Sequence, residues 1–316
     1  MAKLDDTLVI IPTLNEEEGV ELVIKELVEA GVDKKNILVV DGGSTDKTVE
    51  KAEGMGVKVI MQRGRGKANA VLDGLEEAYR RGYKYACFID ADYTYPAKAI
   101  PLMKEKMERE KLDEVIGARV RGRENIPLMN RLGNRLLTWL FNTLFGTRLT
   151  DLCSGLYMVR LDALFRENPK PIETSGFSVE ADIAAKIASA TGRVDEVPIE
   201  YRRRMGRAKL RVLDGLRIAV SIVKLAWRYN PVFLLFTIAS LLLIPGIVLG
   251  GYVAVKYFLY GVKHYVKAII AVMLFTTGII ALMFSVQSLY MKRLEYRVMH
   301  RLRLIEEEVR RKEVEK

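Results

Sequence analysis

Tyr85-Ala86-Cys87-Phe88-Ile89-Asp90-Ala91-Asp92 is a short apolar run that ends in two carboxylates. A run of this length bounded by charge reads as a buried strand of a parallel sheet, and open sheets of that kind bind ligands outside the carboxyl ends of their strands. Upstream, residues 7–12 (Thr-Leu-Val-Ile-Ile-Pro) form another apolar, β-branched run ended by proline. A helix opened by Asn15 follows, with Val20, Val23, Ile24, Leu27 and Val28 at helical spacing and Gly31 as its stop. Residues 36–40 give a second strand that ends at Asp41-Gly42-Gly43-Ser44-Thr45-Asp46, and a second helix starts there. Residues 57–61 give a third, followed by Arg63-Gly64-Arg65-Gly66-Lys67 and a helix to Gly82. Strand and helix thus alternate, which predicts an α/β fold with a doubly wound, mostly parallel sheet. Past Asp92 the alternation loosens: strands are expected over 115–118, 155–159 and 194–201, and helices over 128–145 and 178–191.

The remainder of the 316-residue chain has a different character. Half of all residues are hydrophobic while 28% are charged, because the apolar ones concentrate after Asn230. Residues 232–255 and 268–290 carry no charge, and each is long enough to cross a hydrocarbon core of roughly 30 Å. Pro245 is expected to kink the first. Residues 202–229 hold nine Arg or Lys interleaved with Leu, Ile, Val and Trp227, the pattern of an amphipathic helix at the headgroup level or of a solvated helix docked on the soluble domain. Basic residues are far denser on the outer flanks than in the loop between the spans, so the positive-inside rule puts both termini in the cytoplasm and makes the spans a hairpin. The net charge of +10 is therefore assigned to a bilayer surface, and no nucleic-acid-binding motif accompanies it. The expected divisions are an α/β domain over 1–201, juxtamembrane helices over 202–230, spans within 231–291 and a charged tail helix over 292–316, a candidate contact for a partner or a second copy. Cys87 and Cys153 have no metal-knuckle spacing and read as reduced thiols. The start, Met-Ala-Lys-Leu-Asp-Asp, has no apolar stretch of a secretory signal.

Asp90 and Asp92 place hard oxygen ligands at the sheet edge, suited to Mg²⁺ or Mn²⁺ bound with a diphosphate. With Pro12-Thr13-Leu14-Asn15-Glu16-Glu17 after the first strand and Asp41-Gly-Gly-Ser-Thr-Asp46 after the second, the chain resembles family 2 glycosyltransferases of the GT-A fold. More narrowly, it is similar to the polyprenyl-phosphate hexosyltransferases typified by dolichol-phosphate mannose synthases and dolichol-phosphate glucosyltransferases. The resemblance covers residues 7–210. It implies that Pro12, Asn15 and Glu16 line the nucleoside, with Asp41 and Ser44 beside base and ribose and Lys67 near base or diphosphate. Asp90 and Asp92 match the metal-binding pair, and Thr94 stands where mannose-transferring members often supply a further ligand. Arg119, Arg131 and Asn134 match positions that contact phosphate groups, and Asp151 an acidic residue near the transferred sugar. Arg203-x-x-Gly206-x-Ala208-Lys209 resembles the family's Arg-x-x-Gly-x-Ser-Lys, with alanine in place of serine; Arg203 and Lys209 are the implied stabilisers of the leaving diphosphate.

Each residue also has a plainer reading. Asn15 and Ser44 are placed to cap the helices they precede, Asp41 and Asp46 to make turns, Arg119 and Arg131 to face solvent, and Glu180 to form a salt bridge or join the site. Trp139, Phe141 and Phe145 read as helix packing, with lipid contact as the alternative. The resemblance implies a membrane-bound, inverting transfer of a hexose from a nucleotide-diphosphate sugar, UDP-glucose or UDP-N-acetylglucosamine before GDP-mannose, to a dolichyl or polyprenyl phosphate. Such an acceptor is already ionised, its second pKa being about 6, so a front domain without histidine suffices; His264 and His300 lie beyond it. A processive polysaccharide synthase lacks support because no Gln-x-x-Arg-Trp motif occurs. A tethered nucleotide-binding protein without turnover is the remaining alternative.

Overall fold

The computed structural model of the chain describes residues 3–165, 179–190, 192–205, 224, 227 and 231–314, with the side chains of 292, 293, 295–297, 299, 300 and 302–314 excepted. The chain divides into two compact units, Met1–Leu225 and Ala226–Lys316.

The first unit is built on a seven-stranded sheet of order β3-β2-β1-β4-β6-β5-β7. Its strands are β1 (Thr7–Thr13), β2 (Ile37–Asp41), β3 (Lys58–Met61), β4 (Tyr85–Phe88), β5 (Glu114–Arg121), β6 (Tyr157–Arg160) and β7 (Val194–Glu200). The helices are α1 (Val20–Glu29), α2 (Thr48–Gly54), α3 (Lys67–Arg80), α4 (Ile100–Arg109), α5 (Leu128–Phe145), α6 (Leu161–Phe165) and α7 (Val179–Ser189). β1 is covered on both faces, so Leu8, Val9, Ile10 and Ile11 are all buried and the strand reads as an unbroken apolar run. Pro12 has no N–H to give, and it falls beyond Ile10, the last β1 residue paired with β4. α1 buries Val20, Val23, Ile24 and Leu27 against this sheet; each such side chain contributes about 1.5–3 kcal/mol.

One strand breaks the parallel rule and shapes the site. β6 runs antiparallel to both neighbours, with Phe88 and Ile116 each opposite Tyr157. The loop that enters β6 therefore arrives at the same sheet edge as the loops that leave β1, β2 and β4. Asp151 and Gly155 reach the site by this reversal.

Two local expectations change. The first helix begins at Val20, not at Asn15: Asn15 has φ 52°, a left-handed conformation that asparagine tolerates and a helix does not. Residues 202–205, which helical spacing joined to the amphipathic segment, are non-helical. Arg202 N donates to Thr94 O and Met205 N to Asp92 O, so this stretch is bonded to the loop after β4. The rest of the segment, apart from Lys224 and Trp227, lies outside the described residues.

The second unit contains α8 (Pro231–Tyr260) and α9 (Tyr265–Val314). Both are long and apolar enough to cross a membrane, with hydropathy 2.7 over Pro231–Tyr260 and 2.5 over Tyr265–Met291. Pro245 lies inside a continuous α8, and the charged tail continues α9 without a break. Small residues bring the two helices together: a Cβ on Gly246 would stand 2.9 Å from Phe275 N, and one on Gly278 2.9 Å from Leu243 N. Ser285 Oγ donates to Val232 O at 3.0 Å, a hydrogen bond that ties α9 to the first turn of α8.

Candidate active site

The loops after β1 and β2 are bonded to each other. Asn15 Oδ1 accepts from Thr45 N at 2.8 Å, and Asn15 N donates to Ser44 Oγ at 2.8 Å. Neither residue caps a helix; the N-cap positions of α1 and α2 are Gly19 and Lys47, and neither makes a side-chain cap. Asp41 is fully buried and organises its own turn, with Oδ2 accepting from Gly43 N and Ser44 N and Oδ1 from Thr13 Oγ1. Glu16 N donates to Thr48 Oγ1 at 2.8 Å. A rigid floor results, with the Glu16 carboxylate directed toward the loop after β4, where it meets Arg204 at 3.0 Å.

That loop carries Asp90 and Asp92, and two glycines admit it. A Cβ on Gly155 would lie 2.1 Å from Asp90 Oδ2, and one on Gly19 2.2 Å from Ala91 O. Only glycine lets these backbones approach so closely. Asp92 Oδ1 accepts from Thr94 N at 3.1 Å and from Thr94 Oγ1, so the threonine hydroxyl orients the carboxylate. Tyr93, with φ 63°, forms the bend between them, and Arg202, paired with Glu26, lies over its ring. Tyr95 Oη accepts from Gly155 N at 2.7 Å, which ties the β4 loop to the loop entering β6.

Cations face both carboxylates. Lys67 Nζ lies 2.9 Å from Asp90 Oδ1 and 2.7 Å from Glu180 Oε1. Desolvation works against the Lys67 charge, but Asp90 and Glu180 outweigh it and hold the ammonium protonated well above its ordinary range. Arg204 Nη1 lies 3.3 Å from Asp92 Oδ2. Burial, and then the neighbouring charge of Asp90, still push the Asp92 carboxyl above the usual aspartate value.

Asp151 is the hub of a second cluster. It is 1% exposed and accepts from Arg119 N, Nε and Nη2 at 2.9, 2.6 and 2.7 Å and from Asn134 Nδ2 at 2.8 Å. Burial alone would raise its pKa; the Arg119 guanidinium and these hydrogen bonds hold it below the usual aspartate value. Arg119 in turn sits over the Tyr201 ring. Of the other residues expected here, Arg131 is exposed on α5 and Arg203 is exposed beside Arg204. Lys209 lies outside the described residues. Residues 202–204 follow strand-like alternation: Arg202 and Arg204 pair with Glu26 and Glu16, and Arg203 faces out. In a run of three arginines, motif spacing selects the first member of Arg-x-x-Gly and passes over Arg204.

The donor set suits a divalent cation. Two carboxylates share one edge, one held in a cradle that a Cβ would fill and the other destabilised by burial and by its neighbour, and both gain from a cation between them. Among the described residues no third carboxylate, histidine or cysteine completes a cluster. Such an ion would take its remaining ligands from diphosphate and water, as Mg²⁺ commonly does.

Comparison with known proteins places this geometry. The glycosyltransferase AglJ of Haloferax volcanii is 29% identical over 289 residues, covering 90% of this chain and 93% of that protein. The dolichyl-phosphate hexose transferase of the same organism is 32% identical over 222 residues, covering 70% and 93%. Glucosyl-3-phosphoglycerate synthase from Mycobacterium tuberculosis, solved with Mn²⁺, UDP-glucose and phosphoglyceric acid, superposes with a TM-score of 0.53 at 23% identity, covering 71% of this chain and 79% of that one. That likeness establishes the shared fold. The sequence model of Glycosyl transferase family 2 matches residues 8–167, from β1 through α6, a stretch that carries the braced floor, the Asp90 and Asp92 pair and the Asp151 hub; the chain belongs to this family.

Proposed function

We propose that this family 2 glycosyltransferase carries a hexose from a nucleotide-diphosphate sugar to a polyprenyl or dolichyl phosphate, with inversion at the anomeric carbon. The observation that carries the reading is the convergence of Asp90 and Asp92 with Glu16, Lys67 and Arg204 at one sheet edge, a set of charges suited to a diphosphate and its cation. The name of the dolichyl-phosphate hexose transferase relative supports the lipid acceptor. So does α5. Its Leu128, Leu132, Leu136 and Trp139 form an exposed stripe at helical spacing, with Arg131 and Arg135 beside it, a surface fitted to the headgroup layer. Trp139 is 61% exposed, in contrast to the packing role expected for it, whereas Phe141 is buried and stacks on Phe145.

In this reading Pro12, Asn15, Glu16, Asp41 and Ser44 line the nucleoside, and Lys67 stands near the diphosphate. Asp90 and Asp92 hold Mg²⁺ or Mn²⁺, which when bound neutralises charge on the leaving diphosphate. Arg119, Arg131 and Asn134 receive the acceptor phosphate, and Asp151 acts through Arg119, whose guanidinium it fixes. Arg203 and Lys209 assist the leaving group. The acceptor oxygen attacks the anomeric carbon, the bond to the nucleotide diphosphate breaks, and no covalent enzyme intermediate forms. UDP-glucose or UDP-N-acetylglucosamine is favoured over GDP-mannose, because Thr94 spends its hydroxyl on Asp92 where a further metal ligand would stand for mannose. The hairpin of α8 and α9 anchors the enzyme, with the catalytic unit on the cytoplasmic side.

The test is incubation of the purified full-length protein with Mn²⁺, a short polyprenyl phosphate and, separately, labelled UDP-glucose, UDP-N-acetylglucosamine and GDP-mannose. Label that extracts with lipid from a UDP-sugar supports the reading. Label from GDP-mannose alone overturns the donor assignment, and none from any donor overturns the transfer.

A further inference from the structure

Arg204 joins two loops that the donor must also join. Its Nη2 lies 3.0 Å from Glu16 Oε1 and its Nη1 3.3 Å from Asp92 Oδ2. The side chains of Glu16 and Asp92 are 10% and 5% exposed, so these charges are weakly screened. The backbone around Arg204 is fixed, since Arg202 N and Met205 N donate to the loop that holds Asp92. Among the described residues its Nε is buried without a hydrogen-bond partner. A guanidinium fork with one orphaned donor has an acceptor still to find, and planar forks favour phosphate and carboxylate. The cation therefore occupies one metal-binding carboxylate while keeping a donor unspent.

We propose that Arg204 is a placeholder cation that couples entry of the metal to entry of the nucleotide. The inference rests on the reading that Asp90 and Asp92 hold a divalent cation with the donor diphosphate. Without nucleotide, the guanidinium neutralises Asp92 and opposes a bare metal ion. A diphosphate supplies oxygens that satisfy Arg204, including the orphaned Nε, so that the guanidinium exchanges Asp92 for another anionic partner while keeping Glu16. Metal then binds more tightly in the presence of nucleotide, and by linkage nucleotide binds more tightly in the presence of metal. Arg204 is in this sense a positioning residue that acts on the metal through Asp92, distinct from Arg203 on the outer face.

The experiment follows the electron paramagnetic resonance signal of free Mn²⁺ during titration of the full-length protein in detergent, alone and with saturating UDP or GDP. For the wild type, nucleotide is expected to tighten Mn²⁺ binding about tenfold, within the usual range for coupled sites. Arg204→Gln is expected to bind Mn²⁺ about tenfold more tightly than wild type without nucleotide and to lose most of the nucleotide-dependent gain. Arg204→Lys keeps the charge but not the fork, and is expected to lose part of that gain; it carries the test if thermal melting shows that the glutamine variant does not fold. An undiminished gain in the folded variants overturns the proposal, whatever the absolute affinities. If the wild type binds Mn²⁺ and Asp92→Asn does not, that outcome leaves the metal reading standing. Wild-type protein that binds no Mn²⁺ with either nucleotide overturns both.

Discussion

Asp90 and Asp92 are held by residues far from them in sequence, and the tightest restraint is an absent methyl group. Gly155→Ala would put a Cβ 2.1 Å from Asp90 Oδ2, and the carboxylate would have to leave Lys67 and turn from the site. Transfer is expected to fall about 100-fold, the usual cost of a misplacement near 1 Å, while overpacking lowers stability by about 1–3 kcal/mol; initial rates and a denaturant unfolding curve on the same preparation separate the two. Asp151 shows how a family role and a local role can differ. Both its oxygens are engaged, so Asp151→Asn strands the Arg119 guanidinium in a buried site, and breaking such a pair costs about 3–5 kcal/mol. Because the folded pKa of Asp151 lies below its unfolded value of 3.8, its contribution is present above that value and is lost as pH falls through the folded pKa. Urea unfolding along an acid series should show that limb in the wild type and a flatter one in the variant.

At the scale of elements, α5 separates packing from exposure on a single helix. Leu137, Phe141 and Leu144 are buried, while Leu136 and Trp139 are 62% and 61% exposed. Leu136→Glu with Trp139→Glu is expected to leave the free energy of unfolding within about 0.5 kcal/mol of wild type, as for surface sites without special contacts. Transfer to a long-chain polyprenyl phosphate in vesicles should fall about tenfold, since two apolar groups of about 1.5–3 kcal/mol each are withdrawn from the bilayer and only part of that loss reaches the rate. An equal loss with a short-chain acceptor in detergent would sink the membrane role of this face. β6 is the other decisive element. Its reversed direction brings Asp151 and Gly155 to the edge where β4 delivers Asp90, and no parallel strand at that place in the order could do so.

Across the whole molecule, charge and hydropathy are segregated: an α/β unit precedes a hairpin whose outer flanks are basic. If the catalytic unit lies on the cytoplasmic side, the turn between α8 and α9 lies on the other. Lys263→Cys is then labelled by a membrane-impermeant maleimide added outside intact cells, against a background in which Cys87 is buried and Cys153 is partly covered. Labelling only after the membrane is broken would place the turn inside and overturn the topology.

How much of this was legible from residues alone follows from the range of the interactions. Apolar periodicity is local, so β1, β2, β4 and α5 could be read to within a residue or two, and the two uncharged runs by their length. The Asp90-Ala-Asp92 pair was legible because it directly follows an apolar strand, and the family because its motifs keep their order. The direction of β6, the capture of Asp151 by Arg119 and the pairing of Arg204 with Glu16 and Asp92 were settled by tertiary structure. Each depends on pairing between segments tens of residues apart, where a one-residue change of register turns a side chain to the opposite face. The carboxylate pair and Lys67 are thus legible in the chain, while Arg204, the cation that faces Asp92, is supplied by the fold.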